Sequence, residues 1–320
     1  MGLVLGFDTS CYTTSLACID EKSIVLDKRT VLSVPLGGRG LRQSDALFQH
    51  NRNMPVLLES LFGAIDPSAV EAVGVSTRPV DAEDSYMPVF LAGILTAKAV
   101  AGALGVPLIE TTHQMGHIRA ASFGGNEEVL MRDRFLAMHL SGGTTDLVEV
   151  GTCDSKIISI EPFGKCTDLH AGQMVDRIAV ALGCAFPGGP HLERIANEAV
   201  RKDIRIPVSV RGTDCSLSGA EAALMRLIGN GEDRCEVAYA VYDLLARMLA
   251  KLIRNAAEEK HCGTFLISGG VASSKLLREL LAVRLKGAAD VRFGQNALSS
   301  DNAVGVALTA GDRIWNRTNP

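Results

Sequence analysis

No stretch of this 320-residue sequence stays apolar long enough to cross a membrane. The run that opens the chain, Leu3 to Phe7, is far too short and has no basic flank, so neither an anchor nor an export signal is expected and a cytoplasmic location is. Paired cysteines are lacking too. Eight are scattered (Cys11, Cys18, Cys153, Cys166, Cys184, Cys215, Cys235 and Cys262) with no two at metal-finger or disulfide-framework spacing, which suits reduced, packed thiols. There is no basic excess to attract phosphate, since the formal net charge is −4. Arg39, Arg42 and Arg52, or Arg132 and Arg134, offer local patches at most and read first as solvated surface. No glycine-rich turn has Walker spacing, and no low-complexity linker divides the chain.

With 47% hydrophobic and 21% charged side chains the chain can bury substantial cores, and its length suits two lobes. One design occurs twice. Leu3 to Ser10 followed by Ser15 to Asp20, and Phe135 to Asp146 followed by Leu147 to Val150, each read as an apolar strand, a small-residue turn and a second strand. Between and after these hairpins the pattern alternates. Helices are expected over Ala46 to Phe62, Phe90 to Leu104, Gly172 to Leu182, Glu236 to Lys260, Ser273 to Leu285 and Asp301 to Ile314, with strands over Val70 to Ser76 and Thr264 to Ser268. The expected fold is α/β, two duplicated lobes with mixed sheets and a central cleft. A break at Gly124-Gly125-Asn126 puts the lobes at residues 1–120 and 121–300, with the helix at 301–314 expected to return to the first lobe.

Three features can carry chemistry. His113 and His117 lie four apart and share a face if the segment is helical, where two imidazoles can ligate one metal or simply decorate the surface. Zinc proteases require a Glu directly after the first His, and Gln114 stands there, which argues against a peptidase. Asp301 can be a third ligand or a helix cap. The turns Ser141 to Thr145, Gly188-Gly189 and Gly269-Gly270 leave amides able to approach phosphate, or are ordinary turns. Asp176 can accept from ribose hydroxyls or pair with Arg177 or Arg201.

Taken in order, GFDTSC, THQMGH, LSGGTT, AGQMVDR, FPGGP, CSLSGAEAAL, ISGGVASSKLLREL and SDNAVGVA resemble the TsaD family over nearly the whole chain. These are the tRNA threonylcarbamoyladenosine transferases once labelled O-sialoglycoprotein endopeptidases, or glycoproteases. The resemblance implies the actin-like ATPase architecture shared with sugar kinases and Hsp70. It implies one divalent metal, iron ahead of zinc, held by His113, His117 and Asp301. ATP, ADP or threonylcarbamoyl-adenylate would be held by His139, Leu140, Ser141, Gly142 and Gly143 at the phosphates, with Asp176 at the ribose, Gly189 beside it, and Ser274 where the family usually has Asn. The implied reaction moves threonylcarbamoyl onto N6 of adenosine 37 in tRNA, with helper proteins of that pathway or a second copy as partners and no membrane.

The sequence departs from the family where chemistry is expected. Tyr12 and Thr13 replace two acidic residues after Cys11, Thr144 replaces a His, and Leu169 and Gln173 replace an Asp and a Glu. A Gly-Pro-Gly loop gives way to Arg78 through Pro88. Two expectations follow: metal-dependent transfer, with its catalytic residues unidentified, or a non-catalytic or regulatory paralogue that keeps metal and nucleotide.

Overall fold

The structure is a computed structural model that describes residues 2–10, 12–34, 41–82 and 84–315. Cys11 and Arg39, named above, and Glu83 of the segment from Arg78 to Pro88 lie outside the described residues. The chain divides into two compact units, the first Met1–Gly125 with Asp154–Lys156 and Ser300–Pro320, the second Asn126–Cys153 with Ile157–Ser299. Among the described residues no helix is long and apolar enough to cross a membrane.

In the first unit, β1 (Leu3–Asp8) pairs antiparallel with β2 (Thr13–Ile19), which pairs antiparallel with β3 (Ile24–Val31). Helix α1 (Gln43–Phe62) buries Ala46, His50, Met54, Leu57 and Leu61, the three-or-four spacing that puts one face on a sheet. Strand β4 (Val70–Arg78) leads to α2 (Phe90–Leu104), which stops where Gly105 adopts a left-handed φ of 68°. Then come β5 (Leu108–Thr112) and α3 (His113–Ala121). Because β1, β4 and β5 run parallel, Asp8 at the end of β1 and His113 just past β5 reach the same carboxyl edge, where open α/β sheets bind ligands.

The second unit repeats the plan. Strands β6 (Arg134–Leu140), β7 (Thr145–Cys153) and β8 (Lys156–Lys165) precede α4 (Ala171–Ala181) and α5 (Gly189–Ala196). A small hairpin, β9 (Ser209–Arg211) and β10 (Asp214–Ser216), leads to α6 (Ser218–Gly229) and the long α7 (Arg234–Lys260). The unit ends with β11 (Thr264–Ser268), α8 (Lys275–Leu285) and β12 (Asp290–Phe293). Strand order is β3-β2-β1-β4-β5 in one five-stranded sheet and β12-β11-β6-β7-β8 in the other, so each central hairpin is extended by parallel strands on one side. Core residues such as Leu140, Phe265 and Ile267 of this sheet pack with Val241, Leu245 and Leu249 of α7.

The chain returns to the first unit as α9 (Val304–Ile314), against α3, β1 and β4. The sequence expects this helix from Asp301; it begins at Val304 after an N-cap at Ala303, with the Asn302 side chain accepting from the Gly305 amide at 3.2 Å and Asp301 outside the helix. Glycines let α9 lie this close. Paired Gly6 and Gly74 form a floor where a Cβ would press Ala307 and Ala310, and a Cβ on Gly305 would collide with the Gly116 carbonyl of α3. A buried ion pair, Arg119 Nε to Asp312 Oδ2 at 2.6 Å and Nη2 to Oδ1 at 3.1 Å, fastens α3 to α9.

Gly→Ala inside a helix normally stabilises by up to about 1 kcal/mol. Gly305→Ala should instead cost about 1–3 kcal/mol through overpacking, and Asp312→Ala about 3–5 kcal/mol by leaving a buried guanidinium uncompensated. Denaturant midpoints check both, and a neutral or stabilising Gly305→Ala contradicts the packing account.

Candidate metal centre and glycine loop

Thr112 ends β5 and caps α3, its hydroxyl accepting from the Met115 amide at 3.1 Å. His113 and His117 therefore stand one turn apart on a helix that starts at the sheet's carboxyl edge. Their Nε2 atoms face each other at 2.9 Å, and Asp301 Oδ1 lies 3.3 Å from His117 Nε2 and 3.6 Å from His113 Nε2. Metal–ligand bonds of about 2.0–2.2 Å put adjacent donors about 3–3.5 Å apart, so the three atoms already outline one face of a coordination polyhedron. All three lie within 4.8 Å of one another, and the donor set fits a divalent transition metal.

Asp8, the last residue of β1, completes the arrangement. Its Oδ2 is 2.8 Å from His113 Nδ1, and its Oδ1 accepts from the Ser10 amide at 2.6 Å. A carboxylate behind a ligating imidazole fixes the tautomer that leaves Nε2 for metal. The signal was available in GFDTS, an acid at a strand end, but its partner is 105 residues away.

Burial opposes a charge on His113, yet Asp8 and then Asp301 outweigh it and raise its pKa to about 9. His117 is pushed the other way, by burial and by His113. The two shifts run in opposite directions, so of the pair it is His113 whose charged form the carboxylates favour.

In the second unit the turn between β6 and β7 is tightly organised. Ser141 N donates to Thr144 O at 2.9 Å, while Ser141 Oγ accepts from the amides of Gly143 and Thr144 at 3.2 and 3.1 Å. Helix α4 abuts this turn: Gly172 N donates to Ser141 O at 3.0 Å, and a Cβ on Gly172 would strike the Ser141-Gly142 peptide. Gly142 is exposed with open space around its α-carbon. Leu140 points into the core and offers only backbone, and His139 Nδ1 lies 3.1 Å from Ser268 Oγ.

Further along α4, Asp176 Oδ1 accepts from the Gly188 amide at 2.7 Å, and burial raises its pKa against that hydrogen bond. Gly189 opens α5, its carbonyl accepting from Tyr242 Oη at 3.0 Å. Ser274 is buried and caps α8, its hydroxyl accepting from Leu277 N at 3.1 Å, so the role the resemblance implied competes with a cap. Glu193 of α5 accepts from Leu276 N at 2.8 Å, tying the Gly188-Gly189 turn to the start of α8.

The departures have local functions. Asp168, the acid retained from the family's pair, accepts from Ser216 Oγ at 2.6 Å, Leu217 N at 2.9 Å and both Ser218 donors, and so caps α6. Burial would raise its pKa, but these bonds hold it well below the usual carboxylate range. Gln173 Oε1 faces His170 N at 3.4 Å. Pro79 O, in the segment that replaces Gly-Pro-Gly, accepts from Gln114 N at 2.9 Å and so supports the first turn of α3. Asp146, read as a turn residue, is the second residue of β7, opposite His139, with its pKa raised by burial.

Residues 38–308 match the family described as tRNA N6-adenosine threonylcarbamoyltransferase. A protein of that name from a strain of Thermus thermophilus is 31% identical over 323 residues, covering 98% of this chain and 92% of its own. One from Methanopyrus kandleri is 26% identical over 281 residues, 87% of this chain and 78% of its own. Among solved structures, HypF of T. kodakarensis superposes with a TM-score of 0.63 at 15% identity; 98% of this chain is matched, and it spans 48% of HypF. The activator of the 2-hydroxyisocaproyl-CoA dehydratase from Clostridium difficile gives 0.55 at 13% identity, over 97% of this chain and 95% of that one. These two likenesses agree with the expected α/β fold built on two mixed five-stranded sheets.

The raised pKa of His113 sets the sign of the pH dependence. Below pH of about 9 a cation must displace its proton, so affinity for Zn²⁺ should rise about tenfold per unit between pH 7 and 9 and level off above. Calorimetry at pH 7.5 in buffers of different ionisation enthalpy should find about one proton released per metal bound. No proton release, or affinity falling with pH over that range, contradicts the assignment of the charge to His113.

Proposed function

This chain belongs to the tRNA N6-adenosine threonylcarbamoyltransferase family, and from that premise we propose that it transfers a threonylcarbamoyl group from its adenylate to N6 of a tRNA adenosine in the cytoplasm. The observation that carries the reading is the convergence of His113, His117 and Asp301, 184 residues apart between the last two, on separations suited to one cation. Two imidazoles and one carboxylate with positions left open suit iron and zinc alike, and it is the family likeness that puts iron first.

Bound there, a divalent cation supplies Lewis acidity toward a phosphate or carbamoyl oxygen. The remaining work falls to the protein's own groups. Asp8 holds the His113 ring with Nε2 forward, and the packing of α9 on α3 holds Asp301 opposite. In the second unit the Ser141 to Thr144 turn closes its other amides on itself and leaves the exposed Gly142 peptide for the phosphate of ATP, ADP or the adenylate. Asp176, anchored through one oxygen by Gly188, has its second oxygen for a ribose hydroxyl. The adenosine amine attacks the carbamoyl carbon, the bond to the adenylate phosphate breaks, AMP leaves and the amine gives up a proton. Helper proteins of the same pathway, or a second copy, are the partners this reading expects.

A second reading keeps binding without transfer. It is favoured by one observation: Gln173, standing where the family places a Glu, turns its side-chain oxygen to the His170 amide at the start of α4, 3.4 Å away.

Metal content, ATP binding by calorimetry and threonylcarbamoyladenosine formed in tRNA decide between them. Wild-type protein should carry stoichiometric metal, bind ATP and form product. His117→Ala should lose metal and lower product at least a hundredfold, while Asp176→Asn should weaken ATP binding by about tenfold, the value of one charge-assisted hydrogen bond. Metal and nucleotide binding without product supports the second reading, and absence of both overturns each.

A further inference from the structure

One surface of the second unit carries far more positive charge than its packing requires. Asp243 of α7 is 1% exposed and meets three guanidinium groups: Arg247 at 2.8 Å, Arg205 at 3.1 Å, and Arg284. One carboxylate neutralises one of them, leaving about two charges in excess. The same face continues along α7. Lys251 Nζ touches Val210 O at 3.2 Å, the Arg254 guanidinium touches the Arg284 carbonyl, and Asn255 holds the β9–β10 turn at Gly212 O, 2.6 Å away, with Arg211 exposed beside it. Residues 247, 251 and 254 fall on one stripe, about 6 and 4.5 Å apart along the helix axis. These residues thus bring six cations together in a chain whose net charge is −4.

The acids borne by these segments do not cancel them. Asp243 is enclosed by its arginines, and Asp214 is turned onto the Lys165 amide at 2.9 Å. Asp203, Glu258 and Glu259 are exposed, and of these Glu258 continues the stripe one turn beyond Arg254. Lys251 and Arg254 each touch a single carbonyl here, so an ammonium with three donors and a guanidinium with five keep donors for a ligand. No exposed aromatic interrupts the α7 stripe, which suits contact with a phosphate backbone rather than stacking on bases.

We propose that this face, Arg205, Arg211, Arg247, Lys251, Arg254 and Arg284, docks the ribose-phosphate backbone of the tRNA. The proposal rests on the reading that tRNA is the acceptor. Through these contacts the protein holds the body of the substrate independently of sequence, and the adenosine is selected elsewhere.

The test is anisotropy of fluorescently labelled, unmodified tRNA on the full-length protein at several salt concentrations. The pair Lys251→Gln with Arg254→Gln should bind about tenfold more weakly at 100 mM salt, and its log–log salt slope should be shallower by about 1.4–1.8. Glu258→Gln should tighten binding by about twofold, a gain that misfolding does not imitate. ATP binding should be unchanged in all of them. If wild-type protein binds tRNA and these variants bind equally well, the docking face is wrong and the transferase reading stands. If wild-type protein binds no tRNA, both fail; binding instead to phosphatidylserine vesicles, lost in the double variant, would reassign the face to a lipid surface.

Discussion

Everything that can be chemistry in the first unit depends on how closely α9 lies against the sheet and α3. Gly6 and Gly74 leave the sheet without side chains where α9 crosses it, and Gly116 and Gly305 remove them again where α9 crosses α3. Interiors are packed at crystal density, so even one methylene at such a crossing displaces a whole helix rather than a side chain. The residues just before α9 inherit that position. Asp301 meets the histidines because it lies before the helix, where Asn302 accepts from the Gly305 amide, and because the Arg119–Asp312 pair fixes how α9 sits along α3. Charge in a buried ion pair is weak evidence for stability, but here it also fixes register.

The duplicated topology sets the two units to different work. Each places a hairpin turn and the ends of parallel strands at one edge. In the first, Asp8 and His113 reach that edge and the turn after β1 follows an acid. In the second, the turn after β6 has no acid at its tip and is closed by its own serine, with α4 docked behind it. A turn that takes up its Ser141, Gly143 and Thr144 amides internally leaves the exposed Gly142 peptide for an anion, whereas a strand end bearing a carboxylate suits a cation or a cationic ring. One architecture thus yields sites of opposite preference by a change of a few residues.

Much of this was legible in the sequence where the signal is local. The apolar runs at Leu3 and Phe135, the periodicity of α1, and the Gly105 stop of α2 each depend on near neighbours, and those elements appear within a few residues of their expected ends. The short strands β9, β10 and β12 were not legible, because three or four residues carry no period. The limit of α9 was misread for a related reason. Ser-Ser-Asp-Asn offers several cap candidates in a row, and the folded chain starts the helix beyond all of them, with Asn302 accepting from the Gly305 amide. Asp8 was hidden differently: nothing near it in sequence reveals a histidine 105 residues on. The roles of Asp168 and Gln173 as helix caps likewise depend on α6 and α4 being where they are.

The charges around the paired histidines argue for what belongs between them. Asp8 and Asp301 bring two negative charges to a largely buried cluster, and the raised pKa of His113 returns one positive charge. The sum is one uncompensated negative charge, which a buried site tolerates poorly. Protonating His117 as well would balance it, but burial and the neighbouring imidazolium press that ring toward neutrality. A divalent cation would remove the conflict. Held by both Nε2 atoms and the Asp301 oxygen in place of the His113 proton, it would bring the cluster to zero while Asp8 kept its hydrogen bond to Nδ1. A monovalent cation would leave the negative charge in place and a trivalent one would overshoot. The electrostatics therefore select the same class of ion as the donor atoms do, and they do so through Asp8, a residue that need not touch the ion at all.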